Sequence, residues 1–288
     1  MPFPSSRVGL QLQPYEYEVT VRKVLAYSAG IGASEPAFLD DIQDGGLRAL
    51  PFQCVTPEWP VVLSMRQSLG ESLTPDEARR GVHAIQDSIF HRPMRPGDRL
   101  ITEGQLVSAT STRSGVLTVC RLITRERGSN DLVSTTWTSS IFLNTALEGD
   151  PVMIASPPSL SDEELLPPGA YARAEKIFIP KEMPHVYSEC ADIWNPIHTE
   201  RKEALAAGLP DIILHGTATW ALAGLTILRR YGSSNPAALK RITGRFAGMV
   251  LPGEDITVRH EPGPSGSVRF EVRTASGAAA ITQGVAWL

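Results

Sequence analysis

Apolar and polar residues alternate with a period of two along much of the chain's middle. Val116, Thr118, Cys120 and Leu122 alternate with Leu117, Val119, Arg121 and Ile123, the spacing of a β-strand. Arg127-Gly-Ser-Asn-Asp131 supplies the turn to the next strand. The whole stretch from Phe90 to Leu143 reads as successive strands. Gly244 to Leu288 reads the same way, with turns at Pro262-Gly-Pro-Ser-Gly266 and Ala275-Ser-Gly-Ala278. Each meander opens on Pro-Gly-acid, at Pro96 to Asp98 and at Pro252 to Glu254, 252 − 96 = 156 residues apart. That tripeptide suits a tight turn before a strand and is common there, but the matching order that follows points to a repeat.

A different period precedes each meander. Gly216 to Gly232 carries Trp220, Ala221, Leu222, Ala223, Leu225, Ile227 and Leu228 nearly all round, which predicts a buried helix. Arg229 and Arg230 fall in its last turn and Gly232 ends it. The matching region of the first half, Thr56 to Ser72, is expected to be shorter and broken by Pro57 and Pro60. A helix wrapped by an antiparallel sheet, twice over, is an α+β arrangement. Glu148 to Pro168 is rich in proline and acid and has neither period. The expected division is therefore an N-terminal domain over 1–150, a linker over 151–168 and a C-terminal domain over 169–288, one half working and one supporting.

The 288-residue length fits two domains. Hydrophobic residues at 42% and charged residues at 20% are ordinary for a chain with a real core. A net charge of −4 argues against nucleic acid as the main partner. Cys54, Cys120 and Cys190 have no metal-ligand spacing and imply free thiols in a reducing compartment. No apolar run reaches the ~18 residues of a membrane span, and no signal core opens the sequence, so a cytoplasmic location is expected.

Candidate chemistry concentrates in Tyr187-Ser-Glu-Cys-Ala-Asp192-Ile-Trp-Asn195-Pro-Ile-His198 and Leu214-His215-Gly216. The pair resembles the signature of the MaoC-like, or hydratase-2, proteins of the hot dog fold. The two-half organisation resembles their double hot dog form. Tyr27-Ser-Ala-Gly-Ile-Gly32, His83-Ala-Ile-Gln86 and His91 through Asp98 are similar to that family's N-terminal domain. The resemblance implies reversible addition of water to a 2-enoyl thioester, usually of coenzyme A, giving the (R)-3-hydroxy product. No metal or redox cofactor is implied, only a thioester substrate, carried by coenzyme A or by acyl carrier protein. A pseudo-dimeric monomer and a further homodimer are both compatible with it.

That reaction needs a water deprotonated as it attacks C3, a proton delivered at C2, and donors for the charge on the thioester oxygen. His198 suits the acid–base role, since an imidazole titrates near pH ~6.5. Asn195 can orient the water. The resemblance assigns Gly216 the backbone N–H that faces the thioester oxygen, a role for which a helix N-terminus is suited. It assigns an aspartate to the same water, five residues before the histidine. Here Asp192 stands six before His198, and Ile193 holds the usual place. Either a one-residue bulge swings the Asp192 carboxylate back, or His198 and Asn195 work alone or with another acid such as Glu189.

Plain structural roles compete at each position. Asp192 also suits a helix cap, Asn195-Pro196 a turn, and His198 a loop hydrogen bond. His215 suits a backbone-bonding role beside the oxyanion site. Tyr187 and Trp194 are either pocket walls or packing aromatics. His83 and His91 read as structural, and Lys240, Arg241 and Arg245 as a solvated face. The alternative functions are a hot dog thioesterase and a non-catalytic thioester-binding protein.

Overall fold

The computed structural model describes residues 2–69, 81–165 and 171–288. Its helices are α1 (Val21–Gly30), α2 (Pro36–Leu39), α3 (Val55–Leu69), α4 (Met183–Cys190), α5 (Arg201–Ala206) and α6 (Gly216–Tyr231). Its long strands are β1 (Gly81–Phe90), β2 (Arg99–Thr112), β3 (Gly115–Glu126), β4 (Leu132–Leu143), β5 (Arg173–Phe178), β6 (Arg241–Phe246), β7 (Asp255–Pro262), β8 (Ser267–Thr274) and β9 (Ala279–Trp287).

Two compact units form, and their boundaries interleave in the sequence. The first comprises Met1–Tyr17, Pro57–His91 and Arg99–Ser159; the second comprises Glu18–Thr56, Arg92–Asp98 and Leu160–Leu288. The expected division into 1–150 and 169–288 follows the sequence pattern and differs from this division by contact. By contact, α1 and α2 belong with the C-terminal half.

In the first unit β2, β3, β4 and β1 form an antiparallel sheet in that order. The period of two does its work here: Val116, Thr118, Cys120 and Leu122 of β3 are all buried, while Leu117, Arg121 and Ile123 are half-buried. Val61 and Met65 of α3 pack with Leu106, Ala109, Val116, Cys120, Leu122 and Phe142. Asn130 adopts φ 64° in the expected turn. Residues 151–165 are not featureless, as the sequence pattern had suggested. Val152–Met153 pairs with β2, and Ser161 and Glu164 form a capping box on a 3-10 turn. Positions 166–168 of the expected linker, and 70–72 at the end of the first helical region, lie outside the described residues.

The prolines do not shorten α3. It runs 15 residues against 16 for α6. Pro57 stands in the first turn, where an N–H has no intrahelical partner, and Pro60 forfeits a single bond close to the start. The expected difference in helix length between the halves is therefore corrected; the halves differ in what stands at the helix start.

In the second unit β6, β9, β8, β7 and β5 form an antiparallel sheet in that order. The helix α6 lies on it, with every residue from Ala218 to Leu228 buried. Trp220 meets Phe52 edge-on at 5.4 Å, a pairing worth about 0.5–1.5 kcal/mol beyond its buried area. Gly232 ends the helix, its N–H donating to the Leu228 carbonyl.

The Pro-Gly-acid turns occur twice with the same bonding. Gly97 N–H donates to the Val19 carbonyl at 2.8 Å, and Val19 N–H donates to the Asp98 carbonyl at 2.9 Å. Gly253 N–H donates to the Ile179 carbonyl at 2.7 Å, and Ile179 N–H to that of Glu254 at 2.9 Å. Both glycines have positive φ, 96° and 91°, which only glycine adopts freely. Each clasp holds the chain just before a helix, α1 in one repeat and α4 in the other.

Candidate active site

The site is built where α4 ends, a short turn follows, and α6 begins. At the end of α4, Ala191 N–H donates to the Tyr187 carbonyl at 2.9 Å and Ile193 N–H to that of Ser188 at 3.0 Å. Asp192 between them has φ 53°. The Ile193 bond is the six-to-one bond of a Schellman ending, with Asp192 at the left-handed position usually held by glycine or asparagine. Its carboxylate lies 2.9 Å from Lys23 Nζ of α1 and is half exposed, at 51%. Ile193 is buried.

The chain then extends through Asn195, and Pro196–His198 form a 3-10 turn with proline at its first position. His198 Nδ1 stands 2.8 Å from the Ile213 carbonyl. A carbonyl only accepts, so Nδ1 carries a proton there, and in its neutral form the ring has its lone pair on Nε2. The ring stacks on His215 with centroids 3.7 Å apart and planes 23° apart.

His215 is buried, and its Nε2 is 3.2 Å from Ser188 Oγ. The Ser188 hydroxyl donates to the Pro184 carbonyl at 2.9 Å, so toward His215 it acts as acceptor. Burial first, then the charge of His198, pushes the His215 pKa down to about 2, and the ring is neutral at working pH. Tyr187 packs on His215 at 4.9 Å. Its phenol is fully buried, which pushes its pKa up to about 12, and it neighbours the Thr217 and Tyr27 side chains.

Gly216 follows His215 as the first residue of α6. First-turn N–H groups lack intrahelical partners and sit at the positive end of the helix dipole. A Cβ on Gly216 would come 3.2 Å from the Phe246 ring at the end of β6, so a side chain here must displace that wall. Leu214 N–H donates to the Val250 carbonyl at 2.9 Å and fixes the approach to the helix.

The structure thus brings His198, His215, Tyr187 and Gly216 together. Asn195 is half-buried at the head of the turn, and its side chain does not cap it. Trp194 is half exposed, and Asp192 turns to Lys23. His83 and His91 bond Thr138 and Thr135 on neighbouring strands. Lys240 Nζ donates to the Ala237 carbonyl, and Arg241 lies over the Trp287 ring. Among the described residues no group of three or more His, Cys, Asp or Glu could hold a metal ion.

Lys23 and Phe246 carry no signal in the sequence motifs, and Tyr27 and Ser188 stand inside the motifs without a role of their own. A signal for the last two is the repeat itself. Tyr27-Ser28 and Tyr187-Ser188 recur at 187 − 27 = 160 residues. The two tyrosines touch at 6.0 Å, and a Cβ on Gly30 would fall 2.7 Å from Cys190 Cβ, again 190 − 30 = 160. Equivalent residues meeting each other mark a local two-fold between α1 and α4.

The MaoC-like domain family matches residues 185–282, and the FAS1-like dehydratase domain region matches residues 6–131. Residues 185–282 are a MaoC-like domain. Two helix-on-sheet units in one chain give it the double hot dog fold. It is 25% identical over 84% of its length to peroxisomal multifunctional enzyme type 2 of Drosophila melanogaster, and the match spans 41% of that protein. With 3-hydroxyacyl-thioester dehydratase Y of Mycobacterium tuberculosis the chain shares 25% identity over 97% of its length and 95% of the relative's. A solved MaoC-like dehydratase from Phytophthora capsici superposes with TM-score 0.83 at 19% identity, covering 98% of this chain and 97% of that one.

Proposed function

We propose that the chain is a hydro-lyase, adding water reversibly across the double bond of a 2-enoyl thioester to give an (R)-3-hydroxyacyl thioester. Coenzyme A is the proposed carrier. The observation that carries this reading is the His198 ring, fixed through Nδ1 on the Ile213 carbonyl and stacked on the residue that precedes the first amide of α6. Nε2 takes the proton of the attacking water while the Gly216 N–H steadies the negative charge on the thioester oxygen. Fixed donors of this kind are worth about 3–4 kcal/mol each in the barrier. Asn195 orients the water without changing its charge. His215, held neutral, does not compete for the proton, and its ring limits how His198 can turn. The family matches and the relatives' names support the hydratase or dehydratase class; the product configuration and these residue roles are our own reading.

The proposed chemistry uses no resident metal or redox cofactor. No helix among the described residues is long and apolar enough to cross a membrane. We propose a cytoplasmic enzyme working as a monomer or homodimer.

Incubation with crotonyl-CoA tests the assignment. Loss of enoyl absorbance with no thiol released is expected. Release of thiol would make the protein a hot dog thioesterase, and binding without turnover would make it a thioester-binding protein.

A further inference from the structure

We infer that water addition in this chain is carried by a single acid–base side chain, His198, and that Asp192 is instead the left-handed cap of α4, clasped by Lys23. The inference rests on the hydratase reading above.

The chain contains its own control for this position. In the first repeat Ile31 N–H donates to the Tyr27 carbonyl at 3.2 Å and Ala33 N–H to that of Ser28 at 2.9 Å, with Gly32 between them at φ 72°. The second repeat has the same two bonds, from Ala191 to Tyr187 and from Ile193 to Ser188, with Asp192 at φ 53°. Gly32 and Asp192 are 192 − 32 = 160 residues apart, the spacing of Tyr27 from Tyr187. Asp192 therefore stands at a backbone position that the other repeat fills with glycine, and aspartate is among the few residues that tolerate it. No bulge has been inserted: both endings keep these two bonds around the left-handed residue.

The side chains agree with the backbone. The Asp192 carboxylate meets Lys23 Nζ at 2.9 Å and is half exposed. The place five residues before the imidazole is filled by Ile193, 4% exposed, which can neither accept nor deliver a proton. Glu189 on α4 and Glu200, two residues after His198, are both exposed.

One group suffices for the proton balance. As the water oxygen bonds to C3, one water proton passes to His198 Nε2. The C2=C3 electron pair moves toward C1, and the thioester carbonyl becomes an enolate held at Gly216. The same Nε2–H then protonates C2 and the carbonyl re-forms. Water has been added, and the imidazole returns to its starting state. Both additions occur on the face that His198 occupies.

Three variants assayed with crotonyl-CoA test this: Asp192→Gly, Asp192→Asn and Lys23→Met. Glycine and asparagine both adopt the left-handed position, so the ending of α4 is retained. Each variant is expected to keep kcat within tenfold of the wild type. A loss of more than tenfold in either Asp192 variant, or in Lys23→Met, overturns the inference, because the pair would then belong to the machinery. The parent reading fails separately. It is lost if the wild type adds no water to the enoyl thioester, or if His198→Ala adds it at the wild-type rate.

Discussion

The two repeats share a frame and differ in chemistry. Residues 27–38 and 187–198 align at a constant spacing of 160, with Tyr27 on Tyr187, Ser28 on Ser188 and Pro36 on Pro196. At the start of the following helix the spacing becomes 161. Thr56 then matches Thr217 and Trp59 matches Trp220. What both repeats retain is what the backbone needs: a tyrosine-serine pair in the helix, a left-handed ending, and a proline that opens the next turn. What differs is the reactive set. Phe38, fully buried, stands where the second repeat has His198; Cys54 replaces His215, and Val55 replaces Gly216. A phenylalanine cannot move a proton, and a valine blocks close approach to its own amide. One copy keeps the shape, and the other keeps the shape together with the residues of the proposed chemistry.

Importing the first repeat's residues into the second should break this contrast. His198→Phe places the residue of position 38 and is expected to cost about 10²–10⁴-fold in kcat, the usual worth of one acid–base group. Turnover of crotonyl-CoA by a variant with wild-type melting behaviour checks it. Gly216→Val imports Val55 and pushes on Phe246, whose ring is 3.2 Å from the new Cβ. A loss of about 10²–10³-fold is expected, as for removal of one oxyanion donor, again read as kcat in a folded protein.

A smaller effect concerns His215, which the first repeat replaces with Cys54. The folded pKa of His215 is depressed to about 2, while an unfolded histidine titrates near pH ~6.5. Below pH ~6.5 the unfolded chain binds a proton that the folded chain does not, so stability falls as the pH falls toward about 2. At pH ~5 this one group should cost roughly 2 kcal/mol relative to pH ~7. Urea midpoints at the two pH values should shift less in His215→Gln than in the wild type. Equal shifts would mean that the ring is not buried neutral.

The alternating pattern and the all-apolar helix made the sheets and α6 legible, because burial imposes those periods directly. The N-terminal helix was misjudged because proline was weighed by its presence and not by its place; near a helix start its missing N–H costs little. His198, Tyr187, His215 and Gly216 were legible as a motif. The carboxylate was not. A register difference of one residue does not say whether the backbone bulges or caps, and only the hydrogen bonds around Asp192, matched by those around Gly32, distinguish the two. The interleaving of α1 with the C-terminal half was also hidden, since Lys23 and Tyr27 act over long sequence distances that no local period records.

A crystal structure with butyryl-CoA, which has no double bond to hydrate, tests the central claim most directly. The account predicts the thioester oxygen about 3 Å from the Gly216 nitrogen, with His198 Nε2 facing C3 across the space of one water. A thioester seated away from Gly216, or an acyl chain whose C3 lies beyond the reach of a water held by His198, would contradict it.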